Sequence, residues 1–367
     1  MKYFIISTFI VFLLYSCKVK EYNHSELVSI EENSITEGNL LDSMSCRYIR
    51  LETNVKCSMA GIKRIIKDGD ILFILDNKQN VFEFDTNGHF IRKIGSKGGA
   101  KQEYIKLMDI FVDKENRTVN IIDFSRNDCI TYNYDGEFIR RKSMPKGIFN
   151  GVVSVEFLDN TLYCYNSNWE KGNTYNFSIL DMTTSKVTDA VPYRVLGQMS
   201  SSKERARICV RKNDVLAVAS FSDTIYSLTK NGASPLMCLN GPLRKCDDED
   251  FEDLHPEIEP LICRDFLKKK KTIGLSFIFA TDSIISFQYG APIINVMYTY
   301  DLYAKQGKKM LANNSFSCSI IYSDESCFIA MKSIEECQRI NDPTINALIG
   351  EASENDNPVL AIYQGKR

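Results

Sequence analysis

The sequence predicts an all-β fold, a six-bladed β-propeller with short helical insertions, and three observations carry that prediction. A unit of about 47 residues repeats, tight-turn dipeptides punctuate it, and apolar strand pairs of the same kind recur to the end of the chain. Laid against each other, residues 71–93 (ILFILDNKQNVFEFDTNGHFIRK) and 118–141 (TVNIIDFSRNDCITYNYDGEFIRR) align Asp76 with Asp123, 47 positions on. Gly88 and Phe90-Ile91-Arg92 align with Gly136 and Phe138-Ile139-Arg140, 48 positions on. Stretches such as Val81-Phe82-Glu83-Phe84 hold the β-branched and aromatic residues that suit strands. Asn87-Gly88 and Asp135-Gly136 favour the positive φ angles of hairpin turns.

The remaining units follow in order. Leu162-Tyr163-Cys164-Tyr165 pairs with Asn176 to Asp181, and Val215 to Ala219 with Asp223 to Leu228. Ser283 to Phe287 pairs with Ile294 to Tyr300, and Cys327 to Met331 with Val359 to Tyr363. Strand starts near 71, 118, 162, 215, 284 and 327 lie 43 to 69 residues apart, which makes six units. Meanders of this length cannot bury both faces alone. Radial packing in a propeller buries them and disposes of the exposed sheet edges. Two stacked β-sandwiches are the alternative arrangement. A ring needs closure, and Arg47-Tyr48-Ile49-Arg50-Leu51 is placed to complete the last blade beside residues 359–363.

Ahead of the ring stand two other segments. Residues 1–16 read as a signal peptide: Lys2 supplies a positive start, and Tyr3 to Tyr15 is a mostly apolar run too short to span a bilayer. The run ends Leu13-Leu14-Tyr15-Ser16-Cys17, which resembles a bacterial lipobox. That resemblance implies that Cys17 is acylated and becomes the mature N-terminus, anchoring the chain to a membrane of the cell envelope, the outer membrane being the expected one. Residues 17–45 read as the lipidated Cys and a flexible tether that docks near its end, and residues 46–367 as the propeller.

Composition narrows the function classes. An apolar fraction of 44% excludes a largely disordered chain. Lys+Arg of 45 against Asp+Glu of 47 argues against nucleic acid as partner. Of 12 Cys, Cys129, Cys164, Cys209 and Cys318 fall in apolar strands and read as small buried hydrophobes, while Cys238, Cys246 and Cys263 flank an insertion where a bridge could form. That insertion, residues 247–271, places Ile258, Leu261, Ile262, Phe266 and Leu267 at helical spacing, with acids before it and Lys268–Lys271 at its end. Its acids lack the ligand order of a calcium loop and read as solvated. A second helical stretch is expected at 332–350, broken at Asp342-Pro343 with Asp342 as N-cap.

With these residues in view, the chain resembles the six-bladed propeller lipoproteins of Bacteroides and its relatives, an NHL-like group. The resemblance rests on the lipobox, Arg50-Leu51-Glu52-Thr53, the Phe-Asp-x-x-Gly-x-Phe-Ile pattern at 84–91, Asp223-Thr224-Ile225-Tyr226 and Asn357-Pro358-Val359-Leu360. Where such proteins carry Gly-x-Gly-Pro-x-Glu-Tyr, this chain reads Gly98-Gly99-Ala100-Lys101-Gln102-Glu103-Tyr104, without the second Gly and the Pro. It implies a binding platform.

The residues themselves point to binding more than to catalysis. The three His, His24, His89 and His255, have no paired spacing, and neither CxxC, GxSxG nor a phosphate loop occurs. No catalytic residue, metal ligand or cofactor is assigned. The alternative is a lactonase- or lyase-like enzyme with dispersed Asp, Asn and Glu at the central channel. The loop 163–175 holds the only Trp and several Tyr and Asn; Tyr165, Trp169 and Tyr175 are candidates for stacking on a glycan or peptide. Glu103 and Tyr104, just after a blade, are candidates for the channel mouth. The expected protein is a monomer that binds a glycan, a peptide or an envelope protein.

Overall fold

The computed structural model describes residues 27–167, 174–193, 206–241, 244–245, 271–272, 274–289, 296–311, 317, 319–340 and 342–365. Three strands precede the first full blade: β1 (Val28–Glu31), β2 (Thr36–Glu37) and β3 (Ser45–Arg50). Blade one is β4 (Ile62–Asp68), β5 (Ile71–Asp76), β6 (Val81–Asp85) and β7 (Phe90–Ile94). Blade two is β8 (Leu107–Asp113), β9 (Thr118–Asp123), β10 (Asp128–Asn133) and β11 (Phe138–Ser143). Blade three is β12 (Val152–Leu158), β13 (Thr161–Asn166), β14 (Tyr175–Asp181) and β15 (Val187–Pro192). Blade four is β16 (Ile208–Arg211), β17 (Asp214–Val218), β18 (Thr224–Thr229) and β19 (Gly232–Asn240). A two-residue parallel pair, β20 (Arg244–Lys245) and β21 (Lys271–Thr272), follows. Blade five is β22 (Leu275–Ala280), β23 (Ile284–Tyr289), β24 (Val296–Asp301) and β25 (Gln306–Leu311). Blade six combines β26 (Ile320–Ser323), β27 (Cys327–Lys332) and β28 (Val359–Gln364) with β3.

The sequence accounts for the ring through period-2 alternation with both faces buried. In β5, Leu72 and Ile74 pack toward blade six, while Phe73 and Leu75 pack toward blade two. In β13, Leu162 and Cys164 face blade two, and Tyr163 and Tyr165 face blade four. Each of the six apolar clusters is one seam between neighbouring blades. The first strands β4, β8, β12, β16, β22 and β26 touch in succession around the centre. The repeat read from the sequence therefore starts at the second strand of each blade, and the innermost strands are the ones its alignment left out.

Closure follows the expected route. β3 pairs antiparallel with β28, Val359 against Arg50 and Gln364 against Ser45, so the N-terminal strand is the outermost strand of the last blade. Asn357 fastens the join from a buried position. Its Oδ1 accepts Met59 N at 2.9 Å, and its Nδ2 donates to Glu52 O at 2.6 Å and Cys57 O at 2.9 Å. Arg50 Nη2 meets Asp356 Oδ2 at 2.6 Å. Gly88 lies so close beneath that a Cβ there would stand 2.3 Å from Arg50 O.

The N-terminal segment differs from a free tether over its described part. β1 adds in parallel to β19, and β2 adds in parallel to β25, as fifth strands on blades four and five. Ile30 and Ile35 enter the seam between blades four and five, and Leu41 enters the next seam. Gly307 leaves the room Ile35 needs, since a Cβ would come within 3.0 Å of it. Glu32 is held by Lys309 and by the Tyr298 hydroxyl. Three well-spaced apolar residues in a polar stretch are enough to seat it.

The second helical stretch forms as two short helices, α1 (Ile334–Gln338) and α2 (Pro343–Ile349). Ser333 and Glu336 make a capping box, and Asp342 caps α2 by accepting Thr344 N at 2.7 Å. Cys129, Cys164 and Cys209 are buried free thiols, and Cys238 is buried as well. Cys246, Cys263, Cys318 and the expected helix within 247–271 lie outside the described residues, apart from the backbone of Lys271.

Candidate functional site

Five of the six blades deliver the ends of their first strands to one mouth of the central channel. There they enclose a cavity of 480 Å³, within the range of small-molecule sites. Arg64 comes from β4, Phe111 and Asp113 from β8, Glu156 and Phe157 from β12, Val210 from β16, and Tyr322 and Ser323 from β26. The first hairpins of blades two, three, four and six form the rim, with Lys114, Glu115, Asn116, Asp159, Asn160, Lys212, Asp324 and Glu325. A smaller cavity of 50 Å³ shares Arg64, Glu156, Tyr322 and Ser323 with the mouth, so these four side chains form the waist between them.

The local chain explains how charged side chains come to point inward. The first strand of blades one, two, three, five and six carries a register shift against its neighbour, between Ile62/Arg64, Leu107/Asp109, Val152/Ser154, Ser276/Ile278 and Ile320/Tyr322. A bulge bends a strand and re-aims the side chains that follow it. Beyond the bulges, Arg64 Nη2 meets Glu156 Oε1 at 2.9 Å, and Nη1 lies 3.6 Å from Asp109 Oδ2. Asp109 is fully buried and accepts Val155 N at 3.1 Å. Burial pushes the Glu156 carboxyl above its usual range even with Arg64 beside it. The Tyr322 hydroxyl donates to Lys67 O at 3.1 Å, and Lys67 Nζ lies 3.6 Å from Asp324 Oδ2. Lys212 pairs with Asp282 at 3.0 Å. Phe157 stacks on Phe111 with centroids 4.8 Å apart. The arrangement is a set of fixed donors and acceptors around a walled hollow, and it suits holding a polar molecule.

Of the residues singled out from the sequence, those that the structure describes do not line this cavity. Tyr165 is fully buried in the seam between blades three and four, its hydroxyl 3.5 Å from Ser220 Oγ, so no ligand can stack on it. Tyr175 is 36% exposed at the start of β14. Trp169 and Cys17 lie outside the described residues. Glu103 and Tyr104 do not reach the channel mouth. Glu103 Oε2 accepts Ala100 N at 2.8 Å, inside a loop where a Cβ on Gly98 would stand 2.1 Å from it. Tyr104 is buried between blades one and two, and its hydroxyl donates to Gln79 O at 2.7 Å. The pair is a latch between blades, because a connector that crosses a seam needs its polar backbone satisfied.

Arg64, Asp109 and Glu156 were missed because they sit on the first strands. Their signal was present as charges inside apolar runs, a basic pair in Ile62-Lys63-Arg64-Ile65-Ile66 and one carboxylate each in Leu107-Met108-Asp109-Ile110-Phe111 and Val152-Val153-Ser154-Val155-Glu156-Phe157. A charge within a buried strand needs a partner, and three such strands in one ring put the partners together. Among the described residues no group of three or more His, Cys, Asp or Glu is placed to hold a metal ion.

Comparison with known proteins agrees with the architecture. The profile of a family described as a domain of unknown function, DUF4934, matches residues 30–364. A solved Bacteroides fragilis protein, given provisionally as exported, is similar over 93% of this chain and 100% of its own, with 17% identity and a TM-score of 0.75. A Bacteroides vulgatus member of the DUF4221 family is similar over 88% of this chain and 96% of its own, with 10% identity and a TM-score of 0.53. At such identities the likeness is one of fold. No curated protein matches the sequence.

Proposed function

The chain belongs to the DUF4934 family, and we propose that it is a lipid-anchored binding module of the cell envelope that takes a polar ligand at the channel mouth. The observation that carries this reading is the 480 Å³ hollow walled by side chains already fixed by one another. Preorganised donors and acceptors bind without the entropic cost of ordering them. The carboxylates that converge, Asp109 and Glu156, meet on Arg64, a permanently charged group that passes on no proton, which favours holding a ligand over lactonase- or lyase-like proton transfer. The leader ending in Cys17 and the exported description of the Bacteroides fragilis neighbour support the envelope location.

The test is a combined glycan and peptide array probed with the full-length chain and with Lys114→Trp, a substitution at an exposed rim position. Array members bound by the parent should be lost with the blocked rim at unchanged melting temperature. Ligands retained by Lys114→Trp would place binding away from the mouth and refute the reading.

A further inference from the structure

Resting on that reading, we infer that the channel mouth takes a small neutral saccharide, through the Glu156 carboxylate and the ring of Phe157. The cations around the hollow are engaged inside the protein: Arg64 is shared by Glu156 and Asp109, Lys67 faces Asp324, and Lys212 faces Asp282. Asp113 is occupied by Asn116, accepting its backbone N at 3.1 Å and its Nδ2 at 2.7 Å. The charges left over, such as those of Lys114 and Glu115, lie on exposed rim turns where salt screens them. Among the described residues, the cations in the depth of the site are thus already paired against an anionic ligand, and a cationic one would have to compete with Arg64 for Glu156.

Hydrogen-bonding capacity points to hydroxyls. The Glu156 side chain is 22% exposed, so its carboxylate is held by Arg64 on one side and remains an acceptor toward the hollow. The amides of Asn116 and Asn160 stand at the rim; each gives one Nδ2 hydrogen within the protein, to Asp113 and to Thr183, and an amide carries a second hydrogen and an acceptor oxygen besides. A hydroxyl gives one donor and two acceptors, so vicinal hydroxyls match such planar groups in pairs. Phe157 supplies the remaining element. One face of its ring is stacked on Phe111 and fixes its tilt, and the side chain also lines the hollow. An aromatic wall beside carboxylate and amide groups receives the C–H face of a pyranose while its hydroxyls bond at the edges.

The experiment is calorimetric titration of the full-length chain with cellobiose, maltose, lactose and N,N′-diacetylchitobiose, alongside digalacturonate and chitobiose as charged counterparts. A neutral disaccharide should bind, with a Kd that changes less than about twofold between 50 and 500 mM NaCl. Glu156→Gln should weaken it about tenfold, the loss of a hydrogen bond to a charged group. Phe157→Leu leaves the Arg64 ion pairs in place, so it decides the matter if Glu156→Gln melts early; it should weaken binding about threefold to tenfold. Binding confined to a charged member, with a steep salt dependence, would overturn the saccharide class while leaving the binding reading intact. Peptide hits lost in Lys114→Trp with no saccharide bound would do the same. A neutral hit indifferent to both substitutions would overturn the assignment of Glu156 and Phe157.

Discussion

Replacing Asn357 by Ala should cost the ring about 3–4 kcal/mol. The side chain is 1% exposed and makes three hydrogen bonds to the backbone of residues 52–59, the segment that leads from the closing strand into blade one. Each such bond contributes roughly 1 kcal/mol net, and a buried partner left dry costs more than that mean, so three together give about 3–4 kcal/mol. Urea unfolding of the full-length chain measures it: the midpoint should fall while the slope stays constant, since the surface exposed on unfolding is unchanged. In a thermal melt of a ring this size the same loss corresponds to roughly 4–6 °C. Asn357→Asp adds a directional check. It keeps the acceptor for Met59 N but turns an oxygen toward Glu52 O and Cys57 O, so it should be no more stable than the Ala variant. A loss under about 1 kcal/mol, or a clearly stronger Asp variant, would show that these bonds do not hold the closure.

Two further outcomes can be checked directly. The Asp324 carboxyl lies below its usual range: burial opposes this, but the Ser326 hydroxyl and Lys67 outweigh it. A depressed folded value means stability that is complete above the ordinary aspartate range near 3.8 and is lost as pH falls through the folded value. Asp324→Asn should therefore destabilise by about 1 kcal/mol at pH 7 and by less at pH 3, read from urea midpoints; equal losses at both would refute the charge argument. Cys17→Ala should move the protein from the membrane fraction to the soluble one, and unchanged fractionation would sink the lipid-anchor proposal.

The fold was legible because the middle strands of each blade announce themselves. Leu72 to Leu75 is buried on both faces and reads as an unbroken apolar run, and the Asn87-Gly88 and Asp135-Gly136 turns mark the hairpins beside it. The site was not legible for a related reason. First strands mix channel-facing charges with seam-facing apolar residues and carry bulges, so Lys63-Arg64 breaks the alternation that identifies a strand. Aromatic and amide-rich loops drew attention instead, although Tyr165 is spent on packing two blades together. Two of the segments that carry the family resemblance are joinery. Arg50-Leu51-Glu52-Thr53 and Asn357-Pro358-Val359-Leu360, whose contacts join residues 304 and 305 positions apart, are the two halves of one fastening. Glu103 and Tyr104 secure the connector between blades one and two.

The fifth strands on blades four and five bear on how the molecule takes load. β1 lies alongside β19 with Val28 opposite Met237 and Glu31 opposite Asn240, and β2 lies alongside β25 in the same sense. A pull on Leu27 along the axis of β1 would stress its rungs together, in shear, and would not peel them one by one. Only after those pairs and the Glu32 anchorage yielded would tension reach β3, whose loss opens the ring. Forced unfolding is governed by the rate of crossing such barriers, not by equilibrium stability. The N-terminal segment is thus a strain relief, as the clamp on a cable keeps tension off the solder joint behind it.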